Sequence, residues 1–167
     1  MTGQPVRRDR DPAGRPRNAR PRDALGRPLP KGVPGVERVP DDYAPGADEA
    51  VRDAVGYLAE GRPFHAHEVL EARWKTGPAE ERELWQGMAQ VCVGLTHLQR
   101  GNARGAATLL NRGADSIARY GLLDEGRPPR PFDLDDMVRT ARELAERPAS
   151  DPGAAIARVA EILKGRG

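Results

Sequence analysis

Apolar residues recur at three- and four-residue spacing through six stretches of the chain, with glycine and proline at the joints between them. The first runs from about Asp48 to Glu60, places Val51, Ala54, Val55 and Leu58 on one face, and stops at Gly61. The second opens with Pro63 in its first turn and ends near Lys75, ahead of Gly77-Pro78. A third extends from about Pro78 to Arg100 and stops at Gly101-Asn102. The fourth continues to Tyr120, where Gly121 can take the left-handed cap conformation. The fifth begins after Asp133 and holds Leu134, Met137, Val138, Ala141 and Leu144. The last opens with Asp151-Pro152, an N-cap followed by proline at the first helical position, and carries Ile156, Val159, Ile162 and Leu163. No stretch alternates with the two-residue period of a strand. The pattern therefore predicts an all-α fold, a compact antiparallel bundle of five to six helices. Joints of a few residues make sequential helices antiparallel, so the second, third and fourth should form an up-down-up core.

The third helix is apolar or small around most of its girth, which marks a central helix. Gly87, Val91, Gly94 and Leu98 fall along one seam. A glycine inside a helix costs about 1 kcal/mol relative to alanine, so Gly87 and Gly94 need a compensating reason. Close approach of a neighbouring backbone supplies one, and Gly105 and Gly113 nominate the fourth helix as that neighbour.

Composition changes this picture at one end. Nine of the 16 prolines lie between Met1 and Pro45, where large apolar residues are almost absent. Such a stretch buries too little surface to offset the entropy of ordering it. Residues 1–45 are thus expected to be a largely irregular Pro/Arg-rich leader, and 46–167 a single all-α domain. The net charge of +2 conceals an asymmetry, with +6 on residues 1–40 and −4 on the remainder. The basic leader is either a solvated tail or an arm for phosphates. Its interspersed acids and the lack of aromatics over residues 1–40 make nucleic acid the weaker reading. The lone Cys92 rules out an intrachain disulfide framework, and its apolar mid-helix setting suits inert core filling. No apolar run approaches transmembrane length and the start of the chain lacks the apolar stretch of a secretory signal, so no membrane association and a cytoplasmic location are expected.

Candidate chemistry concentrates on the second helix, "FHAHEVLEARW". At 100° per residue Phe64, His67, Leu70, Glu71 and Trp74 share one face, with Glu68 at its edge. His67 and Glu71, four apart and able to touch, interrupt a face that should be apolar. His65 points to the other side and is expected to be exposed. On the third helix Gln86, Gln90 and His97 form a polar stripe beside the glycine seam. If the two stripes face each other, the core holds a pocket lined by His67, Glu71, Gln86, Gln90 and His97. Such groups buried and unpaired would cost about 1–3 kcal/mol each, so they should bond one another, water or a ligand.

Three readings follow. The cluster is a small-molecule pocket with Trp74 or Phe64 as an aromatic wall. Alternatively it is a hydrogen-bonded network that only fixes helix packing in a structural or partner-binding bundle. In the third reading it is a metal-dependent hydrolase site. His67-Glu68-x-x-Glu71 is a one-substitution relative of the zinc pattern H-E-x-x-H, and His67, Glu71 and His97 would hold a divalent metal such as zinc or iron. There is no glycine-rich phosphate loop, no G-x-S-x-G and no second cysteine for a zinc ribbon.

The central block also resembles a known family. Phe64, His67, Glu68, Glu71 and Trp74 fit F-x-x-H-E-x-x-E-x-x-W, and Gln86, Gly87 and Gln90 fit Q-G-x-x-Q. His97, Gly101, Asn102, Gly105, Ala106, Leu109 and Leu110 then fit H-x-x-x-G-N-x-x-G-A-x-x-L-L. Over about residues 46–120 this resembles the domain-of-unknown-function family number 309, and "RNARPRDALGRPLP" looks like a leader that some members carry. The resemblance implies a compact helical fold and no particular activity.

Overall fold

Local signals set the helix boundaries. In the computed structural model, which describes residues 27, 39–40, 42–123, 131–148 and 150–165, six α-helices follow one another: α1 Ala47–Ala59, α2 Pro63–Thr76, α3 Arg82–Gln99, α4 Ala103–Gly121, α5 Leu134–Glu146 and α6 Pro152–Lys164. A 3-10 turn, Ala79–Glu81, leads into α3, and no strand occurs among the described residues. Most of the leader, and the nucleic-acid reading attached to it, lie outside the described residues. Gly61 and Gly101 take φ of +70° and +74° after α1 and α3, a conformation that glycine reaches without strain. Side chains cap three N-termini. Asn102 accepts from the Gly105 amide, Asp133 from Asp136 and Asp151 from Gly153, each at 2.9 Å. Pro63 and Pro152 occupy first-turn positions whose amides have no helical acceptor.

Helix α3 is the centre of the packing. It contacts α2, α4 and α6, and α1 closes the arrangement through α2 and α6. Leu84, Trp85, Met88, Val91, Cys92 and Leu95 on α3 are fully buried, together with Leu70, Leu110, Ile117, Met137 and Leu163 from four other helices. The α2–α3 pair is antiparallel, because Arg73 near the end of α2 meets Glu81 at the entry to α3, while Gln99 reaches back to the Gly61 carbonyl at 2.7 Å. The α3–α4 pair is antiparallel too. Arg119 bonds Glu83 at 3.1 Å at one end, and His97 meets Asn102 and Gly105 at the other.

The glycine seam has the expected function. A methyl group on Gly113 would lie 2.7 Å from the Gly87 carbonyl oxygen, and one on Gly87 would lie 3.0 Å from that of Gly113. Gly94 makes room in the same way for Leu110. Two backbones thus cross where neither carries a side chain, which is the compensation that the helix-interior glycines required.

His65 departs from expectation. It is fully buried, because α1 packs on the side of α2 that the pattern assigned to solvent. Its ring lies 5.6 Å from that of Tyr57 on α1.

Candidate functional site

Helix α2 is buried on more than one side, by α1 and by α3, with Ala66, Val69 and Leu70 inside. The stripe left over is Phe64, His67, Glu68, Glu71, Ala72, Lys75 and Thr76, spaced three and four apart as one helix face must be. It forms the floor of a groove of about 290 Å³ whose other wall is Val39, Pro40 and Tyr43, from the segment that precedes α1. That wall is fastened at two points. The Tyr43 hydroxyl donates to Asp53 on α1, and Arg73 donates to the Pro45 carbonyl at 3.3 Å. Burial and the bond to Asp53 hold the Tyr43 phenol protonated beyond its ordinary range.

Along the floor, polar groups connect in series. His67 Nε2 lies 3.0 Å from one oxygen of Glu71, and Lys75 Nζ lies 2.6 Å from the other, so residues at i, i+4 and i+8 form one line. The His67 bond, with Lys75 contributing against the opposing effect of burial, brings the Glu71 carboxyl down to about 2. Glu71 is therefore ionised at neutral pH. The bond needs a proton on Nε2, so in the neutral imidazole Nδ1 is an acceptor. Among the described residues Nδ1 has no hydrogen-bond partner. His67 and Glu71 keep 20% and 30% of their side-chain surface exposed, which places them at a groove and not within the core.

The remaining sequence-nominated residues lie elsewhere. Gln86, Gln90 and His97 do not line this groove. The α3 residues that meet α2 or its approach, Trp85 and Gln99, sit more than 100° around the helix from that stripe, so the two polar stripes do not face each other. His97 belongs to the α3–α4 joint, where its Nδ1 meets the Asn102 side chain at 3.2 Å. Trp74 sits beside the groove and not in it, its ring 5.5 Å from the Arg82 guanidinium and 6.0 Å from Lys75 Nζ. The three-ligand set His67, Glu71 and His97 is accordingly not assembled. Among the described residues no group of three or more His, Cys, Asp and Glu side chains is arranged to hold a metal ion. Burial pushes the Cys92 thiol up to about 12, consistent with an inert core residue.

One polar network escaped the sequence reading. Arg73 on α2 pairs with Glu81 at 2.5 Å, and the indole N–H of Trp85 donates to the same carboxylate oxygen at 3.0 Å. Only 13% of the Arg73 and 6% of the Glu81 side-chain surface is exposed. Opposite charges flanking a Gly-Pro turn ordinarily read as surface residues. The sole hint was Trp85, a large residue whose N–H needs an acceptor when buried.

A larger cleft of about 600 Å³ lies between α4 and α5, over Ile117, Leu134 and Val138. Size favours it, but three of its five charged lining residues are tied to neighbours: Arg142 to Asp115, Glu143 to Arg158 and Arg139 to Asp136, at 2.6–3.0 Å. A carboxyl lowered to about 2 by two side chains converging on it occurs at the α2 groove, whereas the lowered carboxyl of the cleft, Glu143, is an exposed partner of Arg158; the groove is the better candidate on chemistry.

Comparison with known proteins bears on the same segment. Residues 51–109, from within α1 to within α4, match the family described as Domain of unknown function (DUF309). The uncharacterized protein YpuF of Bacillus subtilis (strain 168) is 42% identical over 48 residues, which is 28% of this chain and 28% of that protein. No solved structure gives a significant match. Over residues 51–109 the chain is thus similar to the domain of unknown function DUF309, as its motifs implied, and neither this family description nor the uncharacterized relative assigns an activity.

Proposed function

We propose that the protein is a helical binding module that holds a small molecule in the α2 groove, with His67, Glu68 and Glu71 as its polar contacts. The observation that carries this reading is the His67–Glu71–Lys75 line on the floor of a walled groove. A partly exposed i,i+4 pair contributes only about 0.3–0.5 kcal/mol to a helix and ties no second helix to α2. Fixing the helix packing falls instead to the buried Arg73–Glu81–Trp85 network, so a purely structural role leaves the His67 pair without a purpose. Glu71 orients the imidazole and sets its tautomer, as a carboxylate does for a working histidine.

The test is a thermal-shift screen of common metabolites on the full chain, followed by calorimetric titration of any hit. A ligand that raises the melting temperature of the parent, and whose affinity drops at least about tenfold in His67→Ala, is the expected result. A screen with no stabilising compound, or hits indifferent to both His67→Ala and Glu71→Gln, would remove the groove from consideration.

A further inference from the structure

The α3–α4 joint is built around one side-chain bridge. Gly101, at φ +74°, turns the chain out of α3, so that its amide donates to the Leu98 carbonyl at 3.1 Å and the Asn102 amide to that of His97 at 2.9 Å. Asn102 then caps α4, its Oδ1 accepting from the Gly105 amide at 2.9 Å. A backbone N–H only donates, so this bond fixes which end of the carboxamide is oxygen. Nδ2 is left on the His97 side, 3.2 Å from Nδ1. It has only hydrogens to offer, so Nδ1 is the acceptor and the neutral imidazole carries its proton on Nε2. Gly105 leaves room for the bridge, since a methyl group there would lie 2.5 Å from Asn102 Nδ2 and 3.1 Å from His97 Nδ1.

A proton added to His97 goes to Nδ1, and there it sets one donor against another. The Asn102 carboxamide relieves that opposition by withdrawing or by turning over, and either way Oδ1 leaves the Gly105 amide. His97 is only partly buried, so solvent protons reach it. Arg100 on α3 is the charged group that acts on the ring, none from α4 or another element doing so among the described residues, and together with burial it favours the neutral form. We propose that the joint is a pH-sensitive switch, in which neutral His97 fastens the Asn102 cap and protonated His97 releases it, loosening the first turn of α4. The switch is separate from the α2 groove, which His97 does not line, and the two are tested independently.

The test is NMR and amide hydrogen exchange on the isotopically labelled full chain. Long-range proton–nitrogen correlations above the His97 titration should show the Nε2–H tautomer, its signals assigned by their loss in His97→Gln. As His97 titrates, the protection factor of the Gly105 amide should fall about fivefold, the equivalent of a lost cap. In His97→Gln it should stay level over the same pH range. Asn102→Asp keeps a capping oxygen and offers the protonated ring a carboxylate. The proton affinity of His97 should therefore rise about tenfold, and Gly105 should stay protected throughout. A joint that is only structural would move neither reading. A neutral Nδ1–H tautomer, Gly105 protection that does not follow the His97 titration, or an unchanged or lower proton affinity in Asn102→Asp overturns the proposal. The tautomer and the Gly105 titration are read on the parent, so they decide the matter if Asn102→Asp does not fold.

Discussion

Replacing Gly113 by alanine measures how much of the fold rests on the α3–α4 crossing. The added methyl would sit 2.7 Å from the Gly87 carbonyl oxygen, 2.7 Å from Val91 Cγ2 and 3.0 Å from the Val91 amide nitrogen. Two of those three atoms are backbone, so no rotamer change relieves the contact and the helices must separate by several tenths of an ångström. Overpacking of this kind costs about 1–3 kcal/mol, and a rigid obstacle puts the figure near 3. Alanine returns about 1 kcal/mol through helix propensity, leaving a net loss of about 2 kcal/mol. Gly56 is the matched control, an interior position of α1 where an added methyl meets nothing within 4 Å. There alanine should stabilise by about 0.5–1 kcal/mol. Urea unfolding at a common slope gives both values. If Gly113→Ala is as stable as the parent, or gains like Gly56→Ala, the close crossing is not what the glycines serve.

Further predictions concern buried and titrating groups. Glu81→Ala strands the Arg73 charge and the Trp85 N–H, so it should cost about 3–5 kcal/mol in urea unfolding; the double variant Arg73→Met/Glu81→Ala should cost less than the sum of its singles, and additivity would count against the network. Thr140 is fully buried with its hydroxyl unpartnered among the described residues, and Thr140→Val should raise stability by about 1 kcal/mol, a loss contradicting that description. Because the folded Glu71 carboxyl sits near 2, below its ordinary 4.5, its stabilisation is present above pH 4.5 and lost as pH falls toward 2; the stability gap between parent and Glu71→Gln should close over that window. Burial, with Arg100 adding to it, lowers the His97 pKa, so the unfolded chain takes up that proton first. Stability should fall as pH drops below about 6.5, and less so in His97→Gln.

What the sequence revealed and what it concealed divide along a physical line. Helix boundaries follow from local chemistry, so Gly61, Pro63, Gly101, Asp133 and Asp151-Pro152 located the breaks to within a residue or two. The glycine seam was legible because an interior glycine carries a known penalty, and the crossing with Gly113 explains it. The facing of side chains was harder, because it depends on which helix packs on which side. His65 reads as exposed on a helix with one buried face, but α2 is covered by both α1 and α3. The same double coverage turns His67 and Glu71 toward Val39, Pro40 and Tyr43 instead of toward Gln86, Gln90 and His97. Local periodicity says that a helix face is polar; only the topology says what it meets. The pairing of Arg73 with Glu81 was hidden for the same reason, since the turn at Gly77-Pro78 brings together two charges that look unrelated along the chain.

The central claim is that the α2 groove is the ligand site, and shift mapping on isotopically labelled full chain titrated with the tightest-binding hit of the metabolite screen tests it most directly. Saturable amide shifts concentrated at Phe64, His67, Glu68, Glu71 and Ala72 are the predicted result. Saturable shifts centred instead on Ile117, Leu134 and Val138, in the α4–α5 cleft, would contradict it.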